Sequence, residues 1–194
     1  MPTSFRIPLC ILLLAGTGFL RVQAQSSSSS AGDIALTFVA QHSLKADTTE
    51  TFWMEGGSAE LGFNLAHGIG VVADYTSAHA GSIGDTGVPL DLAVASFGPR
   101  YRWHPDKRIS IYGEGLVGVA SGTNSVFPTV SGSLSNASSF ALQCKGGLDY
   151  RLSPHFALRA LDIGYLRATL PNAADNQQNT LRIGAGIVFR FGNS

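Results

Sequence analysis

Five histidines are the side chains of this chain most suited to catalysis or metal binding, and their spacing favours neither. No two of them are separated by the three residues that would place two ligands on one helix face. Because a zinc site needs three or four ligands that converge on one point, we predict that the chain holds no metal and no other cofactor. The histidines are His42, His67, His79, His104 and His155.

His42 has a neighbour that could act as a nucleophile, since Ser43 follows it directly. A hydrolytic triad is defined by the geometry of its three groups, and two adjacent residues do not supply that geometry. We therefore predict no catalytic residues and no enzyme activity, and keep a hydrolase as an alternative. The other cysteine, Cys10, lies in a segment expected to be removed, so Cys144 has no partner for an intramolecular disulfide in the expected mature chain. Cys144 is therefore expected to be a small apolar side chain in a strand.

The composition of the chain excludes several classes of protein. Charged residues make up 13% of the sequence and hydrophobic residues 44%, whereas soluble domains carry roughly 25% charged residues. The formal net charge is +0, so no basic surface is available for nucleic acid. The 23 glycines would be unfavourable inside helices, and we expect a β-rich protein.

The amino terminus has the pattern of an export signal. Arg6 precedes an apolar run from Ile7 to Leu20, and Val22-Gln23-Ala24 has the small residues of a cleavage site. The run is shorter than the roughly 20 residues of a membrane-spanning helix. We expect residues 1–24 to be a signal peptide, residues 25–32 a flexible serine-rich leader, and residues 33–192 a single domain.

Beyond Asp33, apolar and polar residues alternate with the period of two that is typical of β-strands. In the last segment, Leu181 and Ile183 share one face and Arg182 and Arg190 share the other. We predict eight strands on this basis. They cover Ile34–Gln41, Phe52–Leu65, Ile69–His79, Leu90–Trp103, Arg108–Ala120, Ser138–Leu152, His155–Arg167 and Thr180–Phe191.

The connections between these predicted strands alternate in length. Those after the second, fourth and sixth strands are short and rich in turn residues, as in Ala66-His67-Gly68 and Ser153-Pro154. Those after the odd-numbered strands are longer and polar, as in Ser121–Asn136 and Ala168–Asn179. An all-β, eight-stranded antiparallel up-and-down barrel whose two ends face different compartments predicts this asymmetry.

The alternation leaves open which face of each strand points inward. A soluble lipocalin-like barrel has its apolar face inside, and a transmembrane barrel has it outside. The polar faces consist mostly of Gly, Ala, Ser and Thr with isolated charges, unlike the charged coat of a soluble protein. We therefore predict a transmembrane barrel whose narrow lumen holds a structural network of paired charges. The residues of this predicted network are Glu60, Asp74, Glu114, Lys145, Asp149, Arg159, Arg182 and Arg190.

Two further features concern the ends and the register of the strands. Aromatic residues stand near strand ends, where the interfacial girdles of a membrane barrel would lie. The aromatic residues are Phe52, Trp53, Tyr75, Tyr101, Trp103, Tyr150, Phe156, Tyr165, Phe189 and Phe191.

The register of the seventh predicted strand leaves one conflict. Strict alternation would turn Asp162 toward lipid if Arg159 points inward, so either a bulge separates them or the predicted register is wrong.

Three segments carry a family resemblance: Gly146-Gly147-Leu148-Asp149-Tyr150-Arg151-Leu152-Ser153-Pro154-His155-Phe156-Ala157-Leu158-Arg159, Phe97-Gly98-Pro99-Arg100-Tyr101, and the final strand through Phe189-Arg190-Phe191. They resemble the small bacterial outer-membrane β-barrels, which include the OmpA-type membrane domain and the Ail/OmpX-type proteins. Members usually end on an aromatic residue, whereas Gly192-Asn193-Ser194 follows here. The resemblance implies a monomer in the bacterial outer membrane. Its implied partners are membrane lipids, lipopolysaccharide, the barrel-insertion machinery and extracellular ligands of the loops.

The expected function is that of a non-enzymatic integral outer-membrane barrel with a structural or surface-interaction role. Two alternatives remain open, a barrel enzyme acting on outer-membrane lipids and a soluble, secreted, lipocalin-like barrel that binds a ligand. Loop composition favours the non-enzymatic outer-membrane barrel, because Gly122–Asn136 is polar and carries no obvious catalytic group.

Overall fold

A computed structural model of the chain describes residues 30–44, 51–129, 132–172 and 176–193. The expected signal peptide lies outside these residues and remains a prediction. Among the described residues, no helix is long and apolar enough to cross a lipid bilayer. The strands are β1 (Ser30–Leu44), β2 (Trp53–Ala66), β3 (Ile69–Ala80), β4 (Leu90–Trp103), β5 (Ile109–Thr123), β6 (Phe127–Thr129), β7 (Gly132–Leu134), β8 (Ala137–Arg151), β9 (Phe156–Ala168) and β10 (Gln178–Asn193).

Eight of these strands form a closed antiparallel barrel, which confirms the predicted fold class. Each of the eight pairs with its neighbours in the order β1-β10-β9-β8-β5-β4-β3-β2, while β6 and β7 form a separate hairpin between β5 and β8. The barrel closes where β1 pairs with β10. β1 begins at Ser30 rather than near Asp33, because its first residues pair with β10 through their backbones. The last three residues of the expected leader therefore belong to the strand.

The two ends of the barrel differ as the connection lengths predicted. Residues 67–68, 104–108 and 152–155 form short turns at one end, which we call the inner end. The longer connections follow β1, β3, β5 and β9 at the opposite, outer end, and their described parts are residues 51–52, 81–89, 124–129, 132–136, 169–172 and 176–177. His67 and His104 adopt positive φ angles of 53° and 52° within the short turns, where such angles are needed to reverse the chain.

The apolar face of the barrel points outward. Phe38 is 63% exposed and Ile187 is 57% exposed, whereas the alternate positions on the same strands are buried. This confirms the prediction of an outward apolar face and contradicts the lipocalin-like alternative, which needs that face inside. Cys144 also faces outward on β8 rather than into the barrel.

A bulge in β9 resolves the expected conflict between Arg159 and Asp162. Both side chains are buried in the lumen, and both Ala160 and Leu161 between them are exposed. The pairing of β9 shifts by one residue against both of its neighbouring strands at this point. The extra residue restores the inward direction of the alternation, so that both charges reach the lumen.

Aromatic side chains lie on the outer wall at both ends of the barrel. At the inner end, Tyr101 and Trp103 stack edge to face with ring centroids 4.5 Å apart, and Phe156 and Phe189 do so at 5.3 Å. Trp53 is exposed at the outer end. Phe52 is an exception to the predicted girdle, because it precedes β2 and packs against the apolar cluster inside the barrel.

The lumen has two chemically different halves. The outer half is filled by a cluster of apolar side chains that includes Met54, Leu92, Val94 and Leu166. The middle and inner parts contain nearly all of the buried charges. Buried polar side chains, including Gln41, Gln143 and Thr180, also lie in the lumen.

Candidate functional site

All eight charged residues predicted for the lumen are buried inside the barrel. They project inward from β2, β3, β5, β8, β9 and β10, since each stands at an inward position of the alternation. Every one except Arg190 makes an ion pair within the part of the chain that the structure describes.

Lys145 stands at the centre of this lumen network. Its Nζ lies 2.8 Å from Glu60 Oε2, 2.7 Å from Asp74 Oδ2 and 3.1 Å from Glu114 Oε2. The ammonium group donates hydrogen bonds to Glu60 and Asp74. One cation on β8 is thus held by carboxylates from β2, β3 and β5.

Arg159 is the second hub of the network. Its Nε donates to Asp149 Oδ1 at 3.1 Å, and its Nη2 donates to Glu60 Oε1 at 3.2 Å. The guanidinium carbon also lies 4.3 Å from the centre of the Tyr112 ring, within the range of a cation–π contact. Tyr112 in turn donates its hydroxyl hydrogen to Asp162 Oδ2 at 2.8 Å.

Arg182 joins the network from the closing strand. Its Nε lies 3.1 Å from Asp162 Oδ1. Its two terminal nitrogens donate to the hydroxyl oxygens of Thr76 and Ser58, each at 2.8 Å. These contacts connect β10 to β2 and β3 across the interior.

Four further charged members of the network were missing from the sequence prediction, namely Asp33, Arg100, Arg102 and Asp162. Arg100 donates to Glu60 Oε1 at 2.8 Å and pairs with Asp33 Oδ2 at 2.9 Å. The parity of β4 could have found Arg100 and Arg102, because both share their face with Ser96 and Gly98. With these additions, six buried cations face six buried carboxylates among the described residues.

The arrangement of these charges is suited to holding the barrel shut. The pairs connect opposite walls of the lumen, and the network residues are almost completely inaccessible to water. Separating one pair would leave both partners buried without a counter-charge, which is strongly unfavourable. The network can therefore lock strands together.

The histidines form no catalytic or metal site in the described part of the chain. No group of three His, Cys, Asp or Glu side chains there is placed to hold a metal ion. His67, His104 and His155 are exposed at the inner turns. His42 packs its ring against Trp53, with centroids 4.7 Å apart.

A polar pair at the outer rim was not predicted from the sequence. His79 Nδ1 lies 2.5 Å from Asp91 Oδ1, and Asn124 donates to the other oxygen of that carboxylate. Asp91 is the second residue of β4, and its carboxylate thus accepts from side chains of β3 and of the connection after β5. The contacts of this pair therefore join β3, β4 and the connection after β5 at the outer rim.

The outer connections enclose a cavity of about 390 Å³ at the mouth of the barrel. Its lining includes Leu44, Phe52, Ile83, Leu90 and Phe127. The cavity lies above the apolar cluster of the outer half, and Leu90 and Phe127 belong to both. Its volume falls in the range of small-molecule sites, roughly 300 to 1,000 Å³.

Comparison with known families gives one match, which covers nearly the whole chain. Residues 10–191 match the family model described as outer membrane protein beta-barrel domain. A comparison with curated protein sequences finds no match.

Solved structures with a similar fold include two bacterial surface proteins. Neisserial surface protein A is 12% identical, with a TM-score of 0.62 over 85% of this chain and 100% of that one. The attachment invasion locus protein Ail of Yersinia pestis, solved in complex with the heparin analogue sucrose octasulfate, is 20% identical. Its TM-score is 0.51 over 81% of this chain and 99% of that one. At these identities the likeness concerns the fold alone.

Proposed function

Because the chain belongs to the outer membrane protein β-barrel family and is an integral protein of the bacterial outer membrane, we propose that it is a non-enzymatic surface protein. In this proposal the barrel is a closed support that does not conduct ions. The four outer connections are the parts that meet other molecules at the cell surface.

The observation that carries the proposal is the contact of Lys145 with carboxylates from three other strands, at 2.7 to 3.1 Å. An ion that crossed the lumen would have to separate these buried pairs and then displace the apolar cluster beyond them. Both steps are unfavourable, because the pairs have no water to replace their partners and the cluster offers no polar ligand.

The outer end supports a role in contact with other molecules. The β6–β7 hairpin lies in the connection between β5 and β8, where Phe127 packs into the apolar cluster while all three residues of β7 are exposed. The apolar cavity at the outer mouth provides a concave surface beside it.

A conductance measurement tests the closed lumen. The mature protein is inserted into planar bilayers and current is recorded under an applied voltage. We expect no steady channel current from the wild type. Regular current steps from the wild type would contradict the proposal, since they would show an open path through the network.

A loop exchange tests the surface role. Residues 124–136 are replaced by a short Gly-Ser turn, and bacteria that express either form are compared for attachment to cultured epithelial cells. We expect bacteria with the exchanged form to attach less. Their resistance to detergent added to the culture should stay at the wild-type level, which would show that the outer membrane is intact. The matched control exchanges residues 104–108 at the inner end and should leave attachment unchanged. Equal attachment with and without the outer connection would contradict the surface role.

A further inference from the structure

The inner mouth of the barrel contains an unusual concentration of arginines. Its cavity has a volume of about 410 Å³ and is lined by Arg102, Arg108, Arg151 and Arg190. One carboxylate, that of the exposed turn residue Asp106, shares this lining. Arg102 and Arg190 are also members of the lumen network, so the excess of cations is local to this end of the barrel.

Arg190 has no ion pair within the described chain, although it is only 5% exposed. Its nearest polar contact is a long hydrogen bond of 3.4 Å from Nη2 to Ser110 Oγ. The Nε of Arg190 is buried without an acceptor. A buried guanidinium without a counter-charge is strongly unfavourable, so the site is incomplete as it stands.

Two neighbouring arginines, Arg151 and Arg102, also have side-chain donors without an acceptor. The Nη2 of Arg151 donates to the carbonyl oxygens of Pro105 and Lys107, at 2.8 and 2.9 Å. The Nε of Arg151 is buried without an acceptor. Arg102 also has an Nε without an acceptor. Three guanidinium groups with unused donors thus line one cavity.

The buried carboxylates at this end of the lumen, those of Asp33 and Asp149, pair with arginines other than Arg190. Asp33 pairs with Arg100 at 2.9 Å, and its contact with Arg102 is longer, at 3.5 Å. Asp149 pairs with Arg159 at 3.1 Å and lies 3.3 Å from Arg102. Neither is within ion-pair distance of Arg190.

We propose that the inner mouth is a binding site for a phosphoryl group, held by Arg102, Arg151 and Arg190. Guanidinium groups match phosphate oxygens with paired, charge-assisted hydrogen bonds. A tetrahedral phosphoryl group offers oxygens in several directions and can meet three converging arginines, whereas a planar carboxylate offers only two. The inference does not depend on the proposed surface role, because it concerns the opposite end of the barrel.

The position of the mouth allows two sources for the phosphoryl group. The exposed ring of Trp103 and the rings of Phe156 and Phe189 lie on the outer wall at the same end, where aromatic side chains mark a membrane interface. A lipid headgroup would lie at that depth, and a free phosphate compound would reach the cavity from the aqueous side. The ligand chemistry is the same in both cases.

Phosphate binding to the whole mature protein tests the site. The protein is held in dodecyl maltoside, which contains no phosphate, and inorganic phosphate is titrated in a calorimeter, with acetate as the comparison anion. We expect saturable phosphate binding that Arg190→Gln weakens about tenfold or more. Arg151→Gln, at a half-buried position outside the lumen network, should weaken it as well. Arg167→Gln is the matched control, because Arg167 lies near the outer end and hydrogen-bonds to Gln177.

The outcomes separate the two sources and can overturn the proposal. Loss of phosphate binding when the micelles are doped with phosphatidylglycerol, but not with diacylglycerol, identifies a lipid headgroup. Unchanged phosphate binding in both identifies a free phosphate compound. No saturable binding to the wild type, or equal binding by wild type and Arg151→Gln, overturns the proposal even if Arg190→Gln fails to fold.

Discussion

Lys145 on β8 and Glu60 on β2 are 85 residues apart in the chain, and their charged groups meet across the lumen at 2.8 Å. The ammonium group of Lys145 also faces Asp74 and Glu114, so this one cation contacts three buried carboxylates. The predictions below begin with this contact.

Replacing Lys145 with methionine should cost about 3 to 5 kcal/mol of folding free energy, because six buried carboxylates would then face five cations and Glu114 would keep only its 3.6 Å contact with Arg100. The measurement is unfolding by urea in lipid vesicles, followed by tryptophan fluorescence. Lys107→Met, at an exposed inner turn, is the control and should change the midpoint very little. Equal midpoints for the two variants would show that water reaches the network.

Replacing Ala185 with arginine should destabilise the protein in lipid by about 2 to 4 kcal/mol, because Ala185 is exposed on the apolar wall between Ile183 and Ile187. The free energy of unfolding in vesicles provides the test. Ser133→Arg is a suitable control, since Ser133 is exposed in β7. A neutral effect of Ala185→Arg would contradict the lipid-facing assignment.

Replacing Gly186 with alanine should weaken the seam where the barrel closes. An added methyl group would lie 2.1 Å from the carbonyl oxygen of Leu36 on β1, and a backbone atom cannot move aside cheaply. We expect a loss of about 1 to 3 kcal/mol, seen as a lower temperature at which the folded band disappears on gels. Gly115→Ala is the control, because the same methyl group would meet nothing within 4 Å. A similar temperature for both variants would show that the seam adapts.

Proteolysis of intact cells should cut the outer connections and spare the inner turns. The targets are the outer connections after β5 and β9, whose described parts include the exposed residues of β7 and the exposed Asn176. Mass spectrometry of the fragments after brief treatment with proteinase K identifies the cut sites. Cuts at His67, His104 or Pro154 with intact outer connections would reverse the assigned orientation.

The alternation of residue types was sufficient to predict the eight strands of the barrel, and the scarcity of charge on their polar faces indicated that the apolar face points outward. Side chains of a strand point to opposite faces at every second residue, so Leu181 and Arg182 reveal their two environments without any knowledge of the fold. The connection lengths added the antiparallel order, because a short turn can join only neighbouring strands. These features are local, and the sequence by itself determined them.

The partners of the buried charges were decided only by the tertiary structure. Lys145 meets Glu60 because closure of β1 on β10 fixes the relative heights of strands that are distant in the chain, and no local pattern contains that register. The bulge at Ala160 and Leu161 turns Asp162 inward, where it meets Tyr112 and Arg182. Arg190 has the same inward parity as Arg182, yet it is at the inner mouth without a carboxylate, because the strand carries it beyond the level of the network. Parity gives the face of a residue, whereas its neighbours depend on how the whole sheet closes.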